Sequence, residues 1–250
     1  MQEEKIYFGN CIGVLSKYSE KGIIFYSGFF GDKDESDGLF KDFVPYLHKN
    51  NFSTLRFDLS GLGESKEDLE KITINDWIND SYSALEVFCE EANLKQVGIV
   101  GFSLGATYSI LNYPKNSKIK GIALWAPALN PQKDMLKRYK QNGDYEKAQN
   151  KELFKSGKKV PYHILDDLNF NVFDELEKIN CPVLICHSKE DPNIPFSTSN
   201  QSQKKIKNLK ELMALENCGH SFKNTKDCNE NQRQKVYEKT LNFFNEVFIE

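Results

Sequence analysis

Residues 96–111 constrain the fold of this chain more than any other stretch. Gln96-Val97-Gly98-Ile99-Val100 is a short apolar, β-branched run, and Ala106-Thr107-Tyr108-Ser109-Ile110-Leu111 can form a buried helix. Between them stands Gly101-Phe102-Ser103-Leu104-Gly105. The stretch therefore reads strand, sharp turn, helix, with a serine at the apex. The G-x-S-x-G spacing has a steric reason. A serine held in a strained turn needs neighbours without side chains where helix and strand nearly touch. Short motifs also arise by chance, so the surrounding chain has to supply the context.

That context is an alternation of strands and helices. Lys5 to Phe8 and Cys11 to Leu15 read as two strands joined at Gly9-Asn10, a hairpin signal. Further strands are expected over 21–26, 52–58, 119–125, 181–187 and 209–215. Helical spacing of Leu39, Phe40, Phe43, Val44 and Leu47 predicts a helix there. Thr73, with Asp76 three residues on, is expected to cap a second helix carrying Trp77, Ala84, Leu85 and Phe88. Val172 to Ile179 suggests a short helix, and 236–248 a final amphipathic one. The fold class implied is α/β: a mostly parallel sheet covered by helices on both faces, edged by the leading antiparallel hairpin. Residues 128–170 lose the rhythm and are read as a small inserted lid within a single domain spanning 1–250.

Length and charge narrow the function classes. A chain of 250 residues suits one domain with a large core. With net charge −3, no global basic field attracts nucleic acid or an anionic membrane. No apolar run approaches a membrane span, and the first residues lack a basic region followed by an apolar one, so a cytoplasmic protein is expected. The six cysteines, at 11, 89, 181, 186, 218 and 228, form no C-x-x-C and are read as reduced thiols.

In sheets of this kind, sites gather at the carboxyl ends of strands. A serine hydroxyl is a weak nucleophile at neutral pH. It needs a base, and the base needs an anion to hold its tautomer. Of the four histidines, His220 lies in a loop after the 209–215 strand and is the expected base. His48 ends a helix, His163 lies in the insertion, and His187 ends a buried strand as an expected structural histidine. Asp191, stiffened by Pro192 and Pro195, is the expected acid, with Glu190 and Asp174 as alternatives. Cys218, two residues before His220, is an alternative thiol nucleophile. Two backbone N–H groups should hold the developing oxyanion: that of Leu104, and that of Phe29 in the loop after the 21–26 strand.

The chain resembles the α/β-hydrolase fold serine hydrolases over nearly its whole length. Gly28-Phe29-Phe30-Gly31 resembles that family's His-Gly-Phe loop, and Asp58-Leu59-Ser60-Gly61-Leu62-Gly63-Glu64-Ser65 its Asp-x-x-Gly-His-Gly-x-Ser loop. His187 to Asp191 is similar to its His-Gly-x-x-Asp segment, and Gly219-His220 to its terminal Gly-His. The chain departs from the pattern at Ser27, Leu62, Ser188 and Ala106. Within the family it is most similar to small bacterial cinnamoyl or feruloyl esterases and related carboxylesterases with a short inserted lid. The resemblance implies hydrolysis of a small-molecule ester or thioester by Ser103, Asp191 and His220, with no metal or cofactor. An acyltransferase or peptidase with the same triad is a rival reading, as is a non-catalytic binding protein. The sequence does not give the oligomeric state.

Overall fold

The computed structural model describes residues 3–225 and 231–248; Cys228 lies outside them. The chain opens with β1 (Glu4–Phe8) and β2 (Cys11–Ser16), a hairpin in which Phe8 pairs with Cys11 across Gly9-Asn10. There follow β3 (Lys21–Tyr26), α1 (Val44–Lys49), β4 (Ser53–Asp58), α2 (Ile74–Glu91), β5 (Gln96–Phe102), α3 (Leu104–Asn112) and β6 (Ile119–Trp125). The chain then makes a π-helical turn (Gln132–Leu136) and α4 (Lys137–Gln141), α5 (Asp144–Gln149), the small hairpin β7 (Phe154–Lys155) with β8 (Lys158–Lys159), and α6 (Tyr162–Asp166). It closes with β9 (Val183–Ser188), α7 (Phe196–Ser202), β10 (Leu209–Leu215) and α8 (Gln232–Val247).

Eight strands form one sheet in the order β1-β2-β4-β3-β5-β6-β9-β10. From β4 to β10 neighbours are parallel, and β1 and β2 add an antiparallel edge, as the alternation predicts. Both faces of the inner parallel strands β3, β5, β6 and β9 are covered, which is why they read as apolar runs, while β10 at the edge is partly exposed. One apolar layer includes Leu85 and Phe88 of α2 and Leu104 and Ile110 of α3; the other includes Phe43, Trp125, Tyr237 and Phe244.

The register sets the site. Tyr26 of β3 pairs with Gly101 of β5, Phe102 with Trp125 of β6, Trp125 with Cys186 of β9, and His187 with Ala214 of β10. The carboxyl ends of these strands therefore lie at one level. The loops carrying Phe29, Ser103, Asp191 and His220 all leave the sheet on that edge. The chain also reverses its direction of travel across the sheet between β3 and β5, the kind of switch point where open α/β sheets bind ligands.

The short helix expected over Val172 to Ile179 forms as a 3-10 helix, Phe173–Lys178, and the first helix also differs from expectation. Leu39, Phe40, Phe43, Val44 and Leu47 are all buried as the spacing predicts, but regular α-helix begins only at Val44. Pro45 has no N–H to return to the preceding turn, so residues 39–43 stay as a chain of tight turns.

Candidate active site

Ser103 sits between β5 and α3 at φ 54 and ψ −116, a backbone conformation that costs a non-glycine residue roughly 1–3 kcal/mol. The surroundings enforce it. Ser103 N donates to Trp125 O at 2.9 Å, and Ser103 O accepts from Ala128 N at 3.0 Å and Ala106 N at 3.2 Å. The two motif glycines are needed for close approach. A Cβ on Gly101 would stand 2.2 Å from Ser109 Oγ, and one on Gly105 would stand 1.9 Å from the carbonyl oxygen of Tyr26.

Asp191 and His220 meet. His220 Nδ1 donates to Asp191 Oδ2 at 2.6 Å, and Asp191's side chain is fully buried. Its other oxygen accepts from the backbone of Asn193 at 2.7 Å and Ile194 at 3.0 Å. Burial alone would raise the Asp191 pKa. The bonds from His187 and His220, with the charge of His220 and the Ile194 amide, outweigh burial and hold the carboxyl below its ordinary range. The alternatives lie elsewhere. Glu190 is exposed and faces Thr225, and Asp174 pairs with Lys205 at 2.8 Å on the surface.

His187 was expected as a structural histidine, and its three bonds are all internal. Nε2 faces Asp191 Oδ2 and the carbonyl of Ile194, both at 3.1 Å. Both partners only accept, so Nε2 carries the proton, and Nδ1 accepts the Ser199 hydroxyl at 2.7 Å. A buried imidazole thus anchors the carboxylate that His220 contacts. Nothing in the spacing of the sequence distinguishes such an anchor from an ordinary core histidine.

The loop after β3 is a tight turn. Gly31 N bonds Gly28 O at 3.0 Å, with Phe29 and Phe30 between them and Phe30 at φ 61. That is a type II pattern, which usually places glycine where Phe30 stands. Gly28 N is tied to Oε2 of Glu35 at 2.7 Å, and Glu35 is itself buried at φ 57. Ser27, where the family pattern has His, is buried, and its hydroxyl has no hydrogen-bond partner among the described residues. Leu104 opens α3, where first-turn N–H groups have no carbonyl a turn behind them.

A cavity of about 320 Å³ joins these parts. Ser103 and His220 both line it, with Phe29 on one side and Tyr139 and Phe154 of the 128–170 segment on another. Its size is near the lower end of the range for small-molecule pockets. The His220 ring packs at a tilt against Phe102, the neighbour of Ser103, with ring centres 4.8 Å apart. Two groups in the cavity wall, Arg138 and Lys155, had no sequence signal because both fall in the segment without clear periodicity. Cys218 is buried behind the site with its carbonyl accepting the Ser188 hydroxyl at 2.6 Å. None of the five described cysteines forms a disulfide, and burial raises the thiol pKa of Cys11, Cys89, Cys181 and Cys186. Among the described residues no group of three or more His, Cys, Asp and Glu side chains is placed to hold a metal ion. No helix among them is long and apolar enough to cross a membrane.

Known proteins agree on the fold and the broad class. The chain is 24% identical over 235 residues to bovine mitochondrial palmitoyl-protein thioesterase ABHD10, spanning 84% of this chain and 70% of that one. It is 25% identical over 134 residues to the uncharacterized peptidase YtmA of Bacillus subtilis, and this match spans about half the length of each protein (52% and 49%). Among solved structures, Est1E of Butyrivibrio proteoclasticus with ferulic acid bound superposes with a TM-score of 0.73 at 20% identity, covering 96% of both chains. Mouse α/β hydrolase domain-containing protein 10 superposes at 0.70 and 17% identity, covering 99% and 98%. At these identities the structural likeness speaks for the α/β-hydrolase fold alone. The sequence profile described as serine aminopeptidase, S33 matches residues 23–162, more than half of the chain, and the chain belongs to that family of serine hydrolases.

Proposed function

We propose that the chain cleaves carboxylic esters or thioesters through an acyl-enzyme on Ser103. The observation that carries this reading is the 2.6 Å bond between His220 Nδ1 and buried Asp191, beside a cavity that Ser103 and His220 share. With Nδ1 committed to Asp191, Nε2 is the nitrogen left to take the Ser103 proton. Ser103 Oγ then bonds to the acyl carbon. The Phe29 and Leu104 amides hold the oxyanion, and His220 returns the proton to the leaving oxygen or sulfur. Water repeats the cycle and releases the acid. Asp191 stays ionised throughout, and His187 keeps its carboxylate oriented. The reaction so written uses no metal or cofactor. Residues 128–170 act as a lid that shapes the pocket, consistent with the cavity contacts of Met135, Tyr139 and Phe154.

The bovine relative is named a palmitoyl-protein thioesterase, and Est1E was solved with ferulic acid, so acyl chains and aromatic acids are the first substrates to try. A fluorophosphonate probe should label the folded protein at Ser103. Replacing Ser103 by Ala should cut hydrolysis of p-nitrophenyl esters by several orders of magnitude. An alanine variant as active as its parent defeats the assignment, and a folded protein that the probe ignores favours a non-catalytic role. Transfer to other acceptors is a second reading, motivated by a 30% match over 121 residues, 47% of this chain and 32% of the other, to a probable alcohol acetyltransferase of Cyberlindnera jadinii. Product analysis with competing alcohols and amines separates hydrolysis from acyl transfer.

A further inference from the structure

Besides His220, four ionisable side chains of the usual charged types line the cavity: Glu35, Arg138, Asp144 and Lys155. The two acids are answered within the protein. Glu35 accepts from Gly28 N at 2.7 Å, Ser36 N at 2.9 Å and Ser36 Oγ at 3.1 Å. Its burial also raises its pKa, towards the neutral form. Asp144 pairs with Lys147 at 3.0 Å.

The two bases are not answered in the same way. Arg138 Nη1 donates to the neutral side-chain oxygen of Asn193. Lys155 Nζ donates to the Tyr139 hydroxyl at 3.1 Å and stands 4.9 Å from the centre of the Phe29 ring. Among the described residues no carboxylate oxygen lies within 4.0 Å of either base. Two sheltered cations elsewhere in the fold are matched by carboxylates. Arg56 meets Glu3 and Asp34, and Lys33 meets Asp58 and Glu64. Arg138 and Lys155 are both half-buried, so part of their hydration is lost without an anion in exchange.

The two cations reach the cavity through adjoining residues, since Lys155 bonds Tyr139, which follows Arg138 on α4. Arg138, on α4, is pinned to Asn193, whose backbone N–H bonds Asp191. Lys155, on β7, is pinned over Phe29 in the loop after β3. Asn142 and Asn193 add neutral amides to the same cavity. An anion entering beside Ser103 would meet two uncompensated charges and no opposing free carboxylate.

We propose that this cavity takes an ester that carries its own carboxylate, held by Arg138 and Lys155 while the ester carbonyl lies at Ser103. The proposal rests on the reading of Ser103 as the nucleophile and adds the substrate class to it. A planar carboxylate suits the fork of Arg138, and the Lys155 ammonium supplies the second charge. The carboxylate can sit on the acyl part or on the alcohol part, and two pairs of esters tell these apart. The first pair is p-nitrophenyl hemiglutarate against p-nitrophenyl valerate. The second is the valerate ester of 4-hydroxybenzoate against that of phenol.

In low salt the charged member of one pair should have the higher kcat/KM, and added salt should narrow the gap. In the double variant Arg138→Gln, Lys155→Met the charged-to-neutral ratio of kcat/KM should fall about tenfold to a hundredfold, mainly through KM. A ratio that the double variant leaves unchanged in both pairs overturns the proposal, even where Ser103 is labelled and the neutral esters are cleaved. Binding gives a readout independent of turnover. By calorimetry the Ser103→Ala protein should bind the charged ester of one pair more tightly than its neutral partner, and adding the two further substitutions should abolish the difference. Equal binding of charged and neutral esters by Ser103→Ala overturns the proposal whether or not any ester is hydrolysed.

Discussion

Glu35 lies in the run Asp32-Lys33-Asp34-Glu35-Ser36-Asp37, which reads as a solvated surface turn, yet its carboxylate is buried beneath the loop that presents Phe29. The single clue is Gly31: a Cβ there would stand 2.2 Å from the Glu35 carboxylate. Burial raises the Glu35 pKa, and the bonds from Gly28 and Ser36 offset only part of that rise. The linkage has a definite sign. An unfolded Glu titrates near 4.3, so above about that pH the unfolded chain gives up its proton before the folded one does. Stability is therefore lost as pH rises from the unfolded value through the folded value. Gln cannot ionise and lacks this slope. Glu35→Gln places an amide N–H against one of the backbone donors, which costs a fixed amount at every pH. The difference in urea unfolding free energy, variant minus parent, should therefore move in favour of the variant between about pH 4 and pH 7. A difference that stays flat over that range shows that Glu35 titrates alike in both states.

At the scale of elements, α3 is set by its crossing of β3. Gly105 lies in its first turn with the Tyr26 carbonyl where a side chain would go, so Gly105→Ala must push helix and strand apart. The loss should be about 3 kcal/mol or more by urea unfolding, at the upper end for overpacking because the obstructing atom is backbone. A loss under about 1 kcal/mol would mean that α3 slides aside at little cost. This element was legible in the sequence, because its constraint is local: two glycines, one serine and the runs around them. So was α2, whose capping box between Thr73 and Asp76 forms as the spacing predicts. The strands Lys21–Tyr26, Ile119–Trp125 and Leu209–Leu215 fall where their apolar runs stand. The start of α1 was misread because apolar spacing says which residues are buried, not whether Pro45 permits a helical bond. The 128–170 segment was hidden for another reason. Its helices have five or six residues, too few turns for a period to show, and its β7–β8 hairpin is tied to a distant partner, the Ser156 hydroxyl on Phe30 O at 2.7 Å. The wall of the cavity, with Arg138 and Lys155, was out of reach for the same reason.

The whole molecule is held by two apolar layers, and the last helix closes one of them. In α8, Phe244 is fully buried and its ring fills the space above Gly98 of β5, where a Cβ would stand 2.5 Å away. Phe243 meets Gly121 of β6 in the same way, at 3.2 Å. The glycines of the two central strands thus form a trough for the aromatic pair, and residues from opposite ends of the chain share a layer: Tyr237 of α8 stacks at 5.0 Å on Phe43 just before α1. The central strand that leads into Ser103 is therefore completed only when the C-terminal helix docks. Phe244→Ala leaves a ring-sized hole over that strand, and the sheet cannot collapse to fill it because its backbone is fixed by pairing on both sides. The cost should be about 3–5 kcal/mol. Domains have only about 5–15 kcal/mol in all, so this one change removes a large share. Urea unfolding should show a lower midpoint with an unchanged slope. If β5 depends on α8 in this way, fluorophosphonate labelling of Ser103 should disappear along the same urea curve as the fold in both proteins. Labelling that outlasts the loss of α8 would show that the strand and its serine stand without the helix.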